Sequence, residues 1–255
     1  MKCKKLIQEI VIDEYSGAGV QEAYREMTKE GLWQSEEKLF NKYFKKGSKI
    51  LDVGCGSGRT TFPLIRMGYK VIGIDLTPAM ITSAKKIAEE LKTKTDFNIG
   101  NVTNLEFINE NFDGALFSFN GWDQIPGKED RLKALKEVYR VLKPGGYFIF
   151  TSHIREIGKR TPYWIMQWIK MYILERFGFP ANEIEFGDKF WKNATREKYK
   201  HGQYIHIPKL SEIKQQIAHA GFELVIYEWR NIIAPEDLKL KSRNTVFFVC
   251  RSLKA

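Results

Sequence analysis

A short apolar strand that runs directly into closely spaced glycines limits the folds open to this chain more than any other feature. Residues 50–61 read ILDVGCGSGRTT, with Gly54, Gly56 and Gly58 at alternate positions. Glycine has no Cβ, so the backbone can turn sharply and lie against a ligand, while the helix that follows offers free N–H groups. A second apolar strand, residues 70–74, ends in Asp75, whose carboxylate could bind a pair of vicinal hydroxyls. Together these features predict a bound nucleoside.

The spacing of the glycines separates three classes of cofactor site. A phosphate-binding P-loop requires Lys and then Ser or Thr after its last glycine, whereas Arg59 and Thr60 follow here. The dinucleotide fingerprint places its third glycine three residues after the second, and this chain has Arg59 at that position. The G-x-G-x-G turn that remains, preceded by Asp52, resembles motif I of the class I S-adenosylmethionine (SAM) dependent methyltransferases.

Further segments resemble this family in the same order along the chain. Residues 71–81 (VIGIDLTPAMI) resemble its second strand with the ribose-binding acid, and residues 98–107 (NIGNVTNLEF) stand where the family has Gly-Asp-Ala or Gly-Asp-Val. Asn101 replaces that Asp, so an uncharged amide oxygen would accept from the adenine amine and hold it less firmly. Residues 111–126 resemble the fourth strand, and residues 131–153 resemble the helix, Pro-Gly-Gly turn and fifth strand.

The resemblance implies that the cofactor is SAM, with S-adenosylhomocysteine as product. It also implies a set of cofactor-binding residues at the ends of the strands, with Asp75 on the ribose and the Val102 backbone N–H on the adenine ring. The set is Asp52, Gly54, Gly56, Gly58, Asp75, Leu76, Asn101, Val102 and Phe119.

Strand and helix patterns alternate from residue 49 to residue 150, which predicts a doubly wound, Rossmann-like parallel α/β sheet. We place strands at 49–53, 71–74, 95–99, 114–119 and 147–152, and helices after Gly58, at Pro78 and near Glu129. The resemblance adds strands at 224–229 and 245–251, paired antiparallel at the sheet edge. This gives a seven-stranded sheet with an antiparallel last strand. Ligands of such sheets bind at the carboxyl ends of the strands.

We expect one methyltransferase domain over residues 1–255, divided into four parts. Residues 1–46 would be a helical lid, 47–153 the SAM-binding core, 154–205 a cap, and 206–255 the final helix and strands. The lid would contain helices 20–29 and 35–45, the second with Ser35 as N-cap. Tyr15, Tyr24 and Trp33 would close over the cofactor or pack against the sheet.

The predicted cap holds eleven of the chain's 34 aromatic residues. Such a surface could exclude water and contact the methyl acceptor, or it could form a small core or a dimer face. Trp164, Trp168 and Tyr172 follow helical spacing, which is typical of packing. Residues 189–200 carry five basic residues against one acid, so they could bind single-stranded RNA or form a solvated surface. The aromatic residues are Tyr163, Trp164, Trp168, Tyr172, Phe177, Phe179, Phe186, Phe190, Trp191, Tyr199 and Tyr204.

The sulfonium of SAM already activates its methyl group, so catalysis requires in-line positioning of the acceptor and removal of water. His153 and Asp123 are the candidate general bases, since they follow predicted strands at the edge where the ligand binds. A structural histidine and a helix cap are the alternatives. Residues that could contact the acceptor are Trp33, Trp122, Trp164, Tyr204 and His206.

Composition bears on the compartment, on metal binding and on the class of acceptor. Three dispersed cysteines favour a reducing cytoplasm, the four histidines lack metal-site spacing, and no apolar stretch is long enough to span a membrane. We therefore expect a soluble cytoplasmic protein without a metal. Residues 151–255 carry 18 Lys and Arg against 11 Asp and Glu, which places most of the net charge of +10 there. A small-molecule acceptor is our first interpretation, RNA the second and a SAM-binding regulator without turnover the third. A monomer and a homodimer both remain open.

Overall fold

The computed structural model describes residues 4–156, 158, 160–191, 203–240, 242 and 244–254. Within these ranges, seven strands form one sheet in the order β3-β2-β1-β4-β5-β9-β8. Two further strands, β6 and β7, form a separate antiparallel pair. The strands are β1 (Lys49–Val53), β2 (Lys70–Asp75), β3 (Asp96–Ile99), β4 (Phe112–Phe117), β5 (Leu142–Ser152), β6 (Asp188–Trp191), β7 (Gln203–His206), β8 (Phe222–Trp229) and β9 (Val246–Ser252).

Helices cover the sheet and build the additions at its carboxyl edge. Short 3₁₀ turns lie at Gly121–Gln124, Leu174–Phe177 and Pro235–Lys239. The α-helices in the described ranges are α1 (Lys4–Ser16), α2 (Ala18–Glu30), α3 (Gln34–Tyr43), α4 (Thr61–Arg66), α5 (Pro78–Glu90), α6 (Lys128–Val141), α7 (Thr161–Tyr172), α8 (Leu210–His219) and α9 (Arg230–Ile233). No helix in the described part of the chain has the length and apolar character needed to cross a membrane.

The pairing of the strands confirms the predicted doubly wound sheet with an antiparallel last strand. Strands β1 to β5 run parallel, whereas β9 pairs antiparallel with both β5 and β8. The order reverses between β1 and β4, where the chain crosses from one half of the sheet to the other. This reversal opens a crevice at the carboxyl edge, where such sheets bind ligands.

Alternating side chains of the strands fill two cores, one on each face of the sheet. Leu51, Phe148 and Phe150 point to the face covered by α6 and α8. Their neighbours Ile50 and Ile149 pack on the opposite face, against α3 and α4. Because both faces are covered, the strands are apolar at successive positions, as parallel strands usually are.

Several predicted boundaries were wrong, each for a tertiary reason. The prediction missed α1, and α3 begins at Gln34 with Trp33 as N-cap. Ser35 lies inside the first turn, where Asp237 accepts hydrogen bonds from the backbone N–H groups of Gln34 and Ser35 at 3.0 and 3.1 Å. A residue about 200 positions away therefore performs the capping that the prediction gave to Ser35.

The fourth and fifth strands also differ from their predicted extents. Strand β4 ends at Phe117, and Phe119 and Asn120 have positive φ angles of 55° and 60°. The chain therefore leaves the sheet before Phe119, which was predicted to end the strand. Strand β5 begins at Leu142, and Lys143–Gly146 form an irregularity within it, where the register with β4 shifts and Gly145 has a φ of 70°.

Candidate functional site

A cleft opens at the carboxyl ends of β1, β2 and β4, where the strand order reverses. The space between its walls is about 850 Å³ when the open solvent at its mouth is counted. The predicted cofactor residues that line it are Gly54, Gly56, Asp75, Leu76, Asn101, Val102 and Phe119. Tyr15 of α1 and Tyr24 of α2 form part of its wall, as the lid interpretation expected.

The glycine turn is required by backbone conformation and by close packing. Gly54, Gly56 and Gly58 have φ angles of 60°, 54° and 97°, which L side chains rarely adopt. A Cβ on Gly54 would lie 2.4 Å from the Phe117 ring, and one on Gly58 would lie 2.4 Å from the Phe62 ring. Gly58 thus permits packing on α4 and does not line the cleft, whereas Gly54 and Gly56 bring backbone to its surface.

The Asp75 carboxylate joins the glycine turn to the end of β2. One oxygen accepts the Gly56 N–H at 2.9 Å, and the other accepts the Thr77 N–H at 2.8 Å. Burial raises the pKa of Asp75, although these two backbone donors act in the opposite direction. The carboxylate is therefore fixed in orientation at the wall of the cleft.

Asp52 supports the turn from below and does not line the cleft. Its carboxylate accepts hydrogen bonds from the hydroxyls of Thr60 and Thr61, each at 2.6 Å. Burial raises the pKa of Asp52 to about 6. The predicted cofactor contact is replaced by a structural one, since these hydroxyls hold the start of α4 against β1.

Asn101 lines the cleft, but its amide oxygen already has two donors. The backbone N–H and the hydroxyl of Thr103 both donate to this oxygen at 2.9 Å. An amide oxygen has two lone pairs, so the predicted bond from an adenine amine would compete with these contacts. The amide N–H₂ group is the part of Asn101 that remains for a ligand.

The N-terminal helices are fixed to the glycine turn by buried polar contacts. The Thr28 and Ser57 hydroxyls are 2.8 Å apart, and Arg59 makes a bidentate pair with Glu36 at 2.6 and 2.7 Å. The Arg59 guanidinium lies 4.9 Å from the centroid of the Trp33 ring, and Trp33 does not line the cleft. Of the two alternatives for Trp33, the structure favours packing, since the side chain is buried in the core beside the sheet.

Aromatic rings continue from these helices along the wall of the cleft. The rings of Tyr15 and Tyr24 meet edge to face at 5.5 Å, and Tyr24 meets Phe119 at 6.0 Å in the same geometry. Burial raises the pKa of Tyr15 well above its usual value, with contributions from the neighbouring Tyr24, Glu14 and Asp75. Tyr15 therefore stays protonated, so its hydroxyl can donate or accept a hydrogen bond but does not supply a phenolate base.

The two candidate bases form one carboxylate–imidazole pair. Asp123 is fully buried, and its carboxylate lies 2.7 Å from His153 Nδ1 while accepting the His153 backbone N–H at 3.0 Å. The Ser152 hydroxyl donates to its other oxygen. Asp123 is thus a partner that orients the imidazole. His153 borders a second, more open cavity with Trp229 and Asn244, and neither member of the pair lines the cleft.

The described part of the predicted cap holds a buried polar network centred on Asp188. Its carboxylate accepts the Tyr204 hydroxyl at 2.9 Å and lies 2.9 Å from His206 Nδ1. Burial opposes ionisation of Asp188, but the bonds from His206, the Glu185 backbone and Tyr204 lower its pKa. Tyr204 and His206 therefore fix the fold of the cap and do not reach the cleft.

This network includes three groups with metal-ligand chemistry. Ligand atoms of Glu185, Asp188 and His206 lie within 4.8 Å of one another. The Arg131 guanidinium contacts Glu185, and the Tyr204 hydroxyl donates to Asp188. Because these protein groups already compensate both carboxylates, we interpret the cluster as structural.

The remaining predicted acceptor contacts are also absent from the lining of the cleft. Trp122 is 1% exposed and packs on Phe150 in the core. Trp164, on the inner face of α7, is buried against Phe186. No described residue of the cap lines the cleft, because α1 packs between the cleft and β7. Residues 192–202, which include Tyr199 and most of the basic segment 189–200, lie outside the described residues.

The sequence analysis missed the other end of the cleft. Gln8 and Val11 of α1 line it together with Gln124, Ile125 and Pro126. The glycine turn gives no indication of these residues, since α1 reaches the cleft by packing on α5 and on the cap. An apolar spacing of Ile7 and Val11 was the only local signal for this helix.

Comparisons with known proteins agree with this geometry. Residues 50–146 match the family model described as a methyltransferase domain. Demethylmenaquinone methyltransferase of Staphylococcus saprophyticus is 32% identical over 71% of this chain and 72% of its own. The corresponding enzyme of Staphylococcus carnosus is 32% identical over 79% of each chain. A SAM-dependent methyltransferase structure from Methanosarcina mazei superimposes with a TM-score of 0.67 at 23% identity, covering 88% of this chain and all of that one.

Proposed function

The chain belongs to the class I SAM-dependent methyltransferases, and we propose that it methylates a small molecule bound at the apolar end of the cleft. The relatives above support this acceptor class, because their name gives demethylmenaquinone as the molecule that they methylate. The lining of the cleft carries the proposal, since it contains the glycine turn and Asp75 and, in addition, apolar surface from Ile125 and Pro126 that remains for an acceptor.

We assign the donor to the end of the cleft that contains the glycine turn. Gly54 and Gly56 expose backbone there, and a Cβ on Gly56 would lie 3.3 Å from the Tyr24 ring. Asp75 would bind the ribose hydroxyls, and the Val102 backbone would contact the adenine. When bound, SAM supplies an electrophilic methyl group; the protein places the acceptor in line with it and excludes water.

The acceptor would occupy the end formed by Gln8, Val11, Gln124, Ile125 and Pro126. The titratable side chains in the lining are Tyr15, Tyr24 and Asp75, which we place beside the donor. The described acceptor end thus offers amides and apolar surface without a carboxylate, imidazole or amine. We infer that catalysis depends on positioning and desolvation of an acceptor that is nucleophilic without a base in this cleft.

His153 is a second candidate contributor, since Asp123 fixes its tautomer beside a neighbouring cavity. As a base it would require an acceptor that extends into that cavity. The His153→Gln variant separates the two cases: loss of the acidic limb of the kcat/KM profile supports a base, and an unchanged profile supports positioning alone.

Transfer of a radiolabelled methyl group tests the acceptor class. Purified protein is incubated with methyl-labelled SAM and separated fractions of small metabolites, RNA and protein. We expect label in the small-molecule fraction, and much less of it with an Asp75→Ala control at a SAM concentration near the native Kd. Nuclease-sensitive label in the RNA fraction would contradict the proposal, and label in no fraction would favour a SAM-binding regulator.

We also propose a reducing compartment such as the cytoplasm. Cys55 and Cys250 are free and buried, and burial raises the pKa of both thiols. Free thiols of this kind are common in proteins that fold under reducing conditions.

A further inference from the structure

Helix α7 is apolar on two opposite faces. One face packs into the cap through Trp164, Gln167 and Met171. Gln167 fixes this contact, because its amide donates to the Asp188 carbonyl and accepts the Gly187 N–H. A surface helix normally carries polar residues on the side away from the core. Packing within the described part of the chain therefore does not account for the apolar residues on the outward side of α7.

The outward side continues into the turn after the helix as one apolar surface, which we name the cap patch. Its nine members lie within 17 consecutive residues and are between 40% and 74% exposed. It contains both aromatic and long aliphatic side chains. Contiguous exposed apolar surface of this kind marks interaction sites in folded proteins. The cap patch consists of Tyr163, Ile165, Met166, Trp168, Tyr172, Ile173, Leu174, Phe177 and Phe179.

The charges around the cap patch favour an anionic partner. Arg160 and Arg176 are exposed at its two ends, and Lys189 Nζ lies 5.4 Å from the Tyr163 ring centroid. Among the acids of the same stretch, Glu175 is exposed next to Arg176, whereas Glu183 is buried and paired with Lys170, and Glu185 is paired with Arg131 across the cap. The cations at the patch therefore outnumber its one exposed acid.

We propose that the cap patch binds the surface of an anionic lipid bilayer. Aromatic rings suit the headgroup level, aliphatic side chains enter the acyl boundary, and flanking cations attract acidic lipids. The aliphatic members favour a bilayer over RNA, whose bases bind by stacking on aromatic rings. A second copy of the chain would bring the same cations to both sides of the contact. This proposal does not depend on the identity of the methyl acceptor.

Co-sedimentation with vesicles tests the proposal on the full chain. Vesicles of phosphatidylcholine alone are compared with vesicles that also contain phosphatidylglycerol. We expect binding to the anionic vesicles and a loss of about tenfold or more in the Met166→Glu/Phe177→Glu variant. Ile108→Glu is the matched control, because Ile108 is 77% exposed before β4, at the opposite edge of the sheet. This control should bind as the native protein does.

Titration with S-adenosylhomocysteine reports whether each variant is folded. If the glutamate pair fails to bind it, Met166→Gln/Phe177→Ser replaces the pair and should show a smaller loss of vesicle binding. Equal sedimentation of native and patch variants would overturn the proposal, as would no binding to anionic vesicles. It would also be overturned if the patch variants dissociate a dimer in light scattering, or lose RNA binding, while vesicle binding is unchanged.

Discussion

Replacement of Asp75 by alanine tests the donor end of the cleft most directly. The carboxylate holds the N–H groups of Gly56 and Thr77 at 2.9 and 2.8 Å, and we assign the ribose hydroxyls to the same group. Alanine removes both kinds of contact. It therefore weakens the ligand directly and also loosens the glycine turn that presents backbone to it.

The expected magnitude follows from these contacts. A hydrogen bond to a charged group contributes about 1.5–3 kcal/mol, so two ribose bonds would contribute about 3–6 kcal/mol if water replaced none of them. Asp75 is only partly buried at the wall, so water can replace part of this. We expect a net loss of about 2–4 kcal/mol, which is about 30- to 700-fold in Kd. Asp75→Asn keeps one acceptor oxygen and should show an intermediate loss.

Calorimetric titration of S-adenosylhomocysteine measures the change. Asp96→Ala is the matched control, since Asp96 is an exposed acid at the start of β3, on the opposite edge of the sheet. A Kd for Asp75→Ala within about twofold of the native value would refute the ribose assignment. Because burial raises the pKa of Asp75, the native affinity should also decline on acidification at a higher pH than an exposed Asp would give.

Three further substitutions test the frame of the site. Burial raises the pKa of Glu14 to about 7. At a pH between the usual pKa of a glutamate and about 7, Glu14 is protonated in the folded protein and ionised in the unfolded chain. The free energy of unfolding therefore falls as the pH rises through this interval. Glu14→Gln should therefore raise the free energy of unfolding by about 1–3 kcal/mol at about pH 8 and less at about pH 5; an equal effect at both would contradict this. Gly54→Ala should lower the free energy of unfolding by about 2–4 kcal/mol in denaturant and abolish S-adenosylhomocysteine binding. Gly47 is the control, because it has a φ of 79° but open space around it, and Gly47→Ala should cost about 1 kcal/mol. Equal costs would refute the packing argument. Arg59→Met removes the cation that pairs with the fully buried Glu36 and should lower the free energy of unfolding by about 3–5 kcal/mol. The double variant with Glu36→Gln should recover part of this lost stability in thermal or denaturant unfolding. No recovery would contradict a charge effect.

Local constraints explain why the donor half of the site was predictable. The glycine turn requires positive φ angles at Gly54 and Gly56, and Asp75 follows an apolar strand directly. Such features are encoded within a few consecutive residues. The parallel topology then brings the strand ends to one edge of the sheet, so a motif and its neighbours suffice to predict which residues meet at the cleft where we propose the donor binds.

The predicted acceptor contacts failed because aromatic residue type does not indicate depth. Trp122 and Tyr204 have the composition of a binding surface, but they are almost completely buried, Trp122 against Phe150 and Tyr204 against Asp188. The residues that form the apolar end, such as Gln8 and Gln124, are ordinary polar side chains in sequence. Only their meeting at the cleft gives them a role.

The sequence by itself determined the class of fold and the cofactor, because alternating apolar segments and an obligatory glycine turn depend on local backbone geometry. The tertiary structure decided which side chains reach the cleft. It placed α1 between the cleft and the cap, assigned the capping of α3 to Asp237, and paired Asp123 with His153. Each of these depends on contacts between residues that are distant in sequence. Local sequence patterns do not predict the burial and hydrogen bonds of such residues.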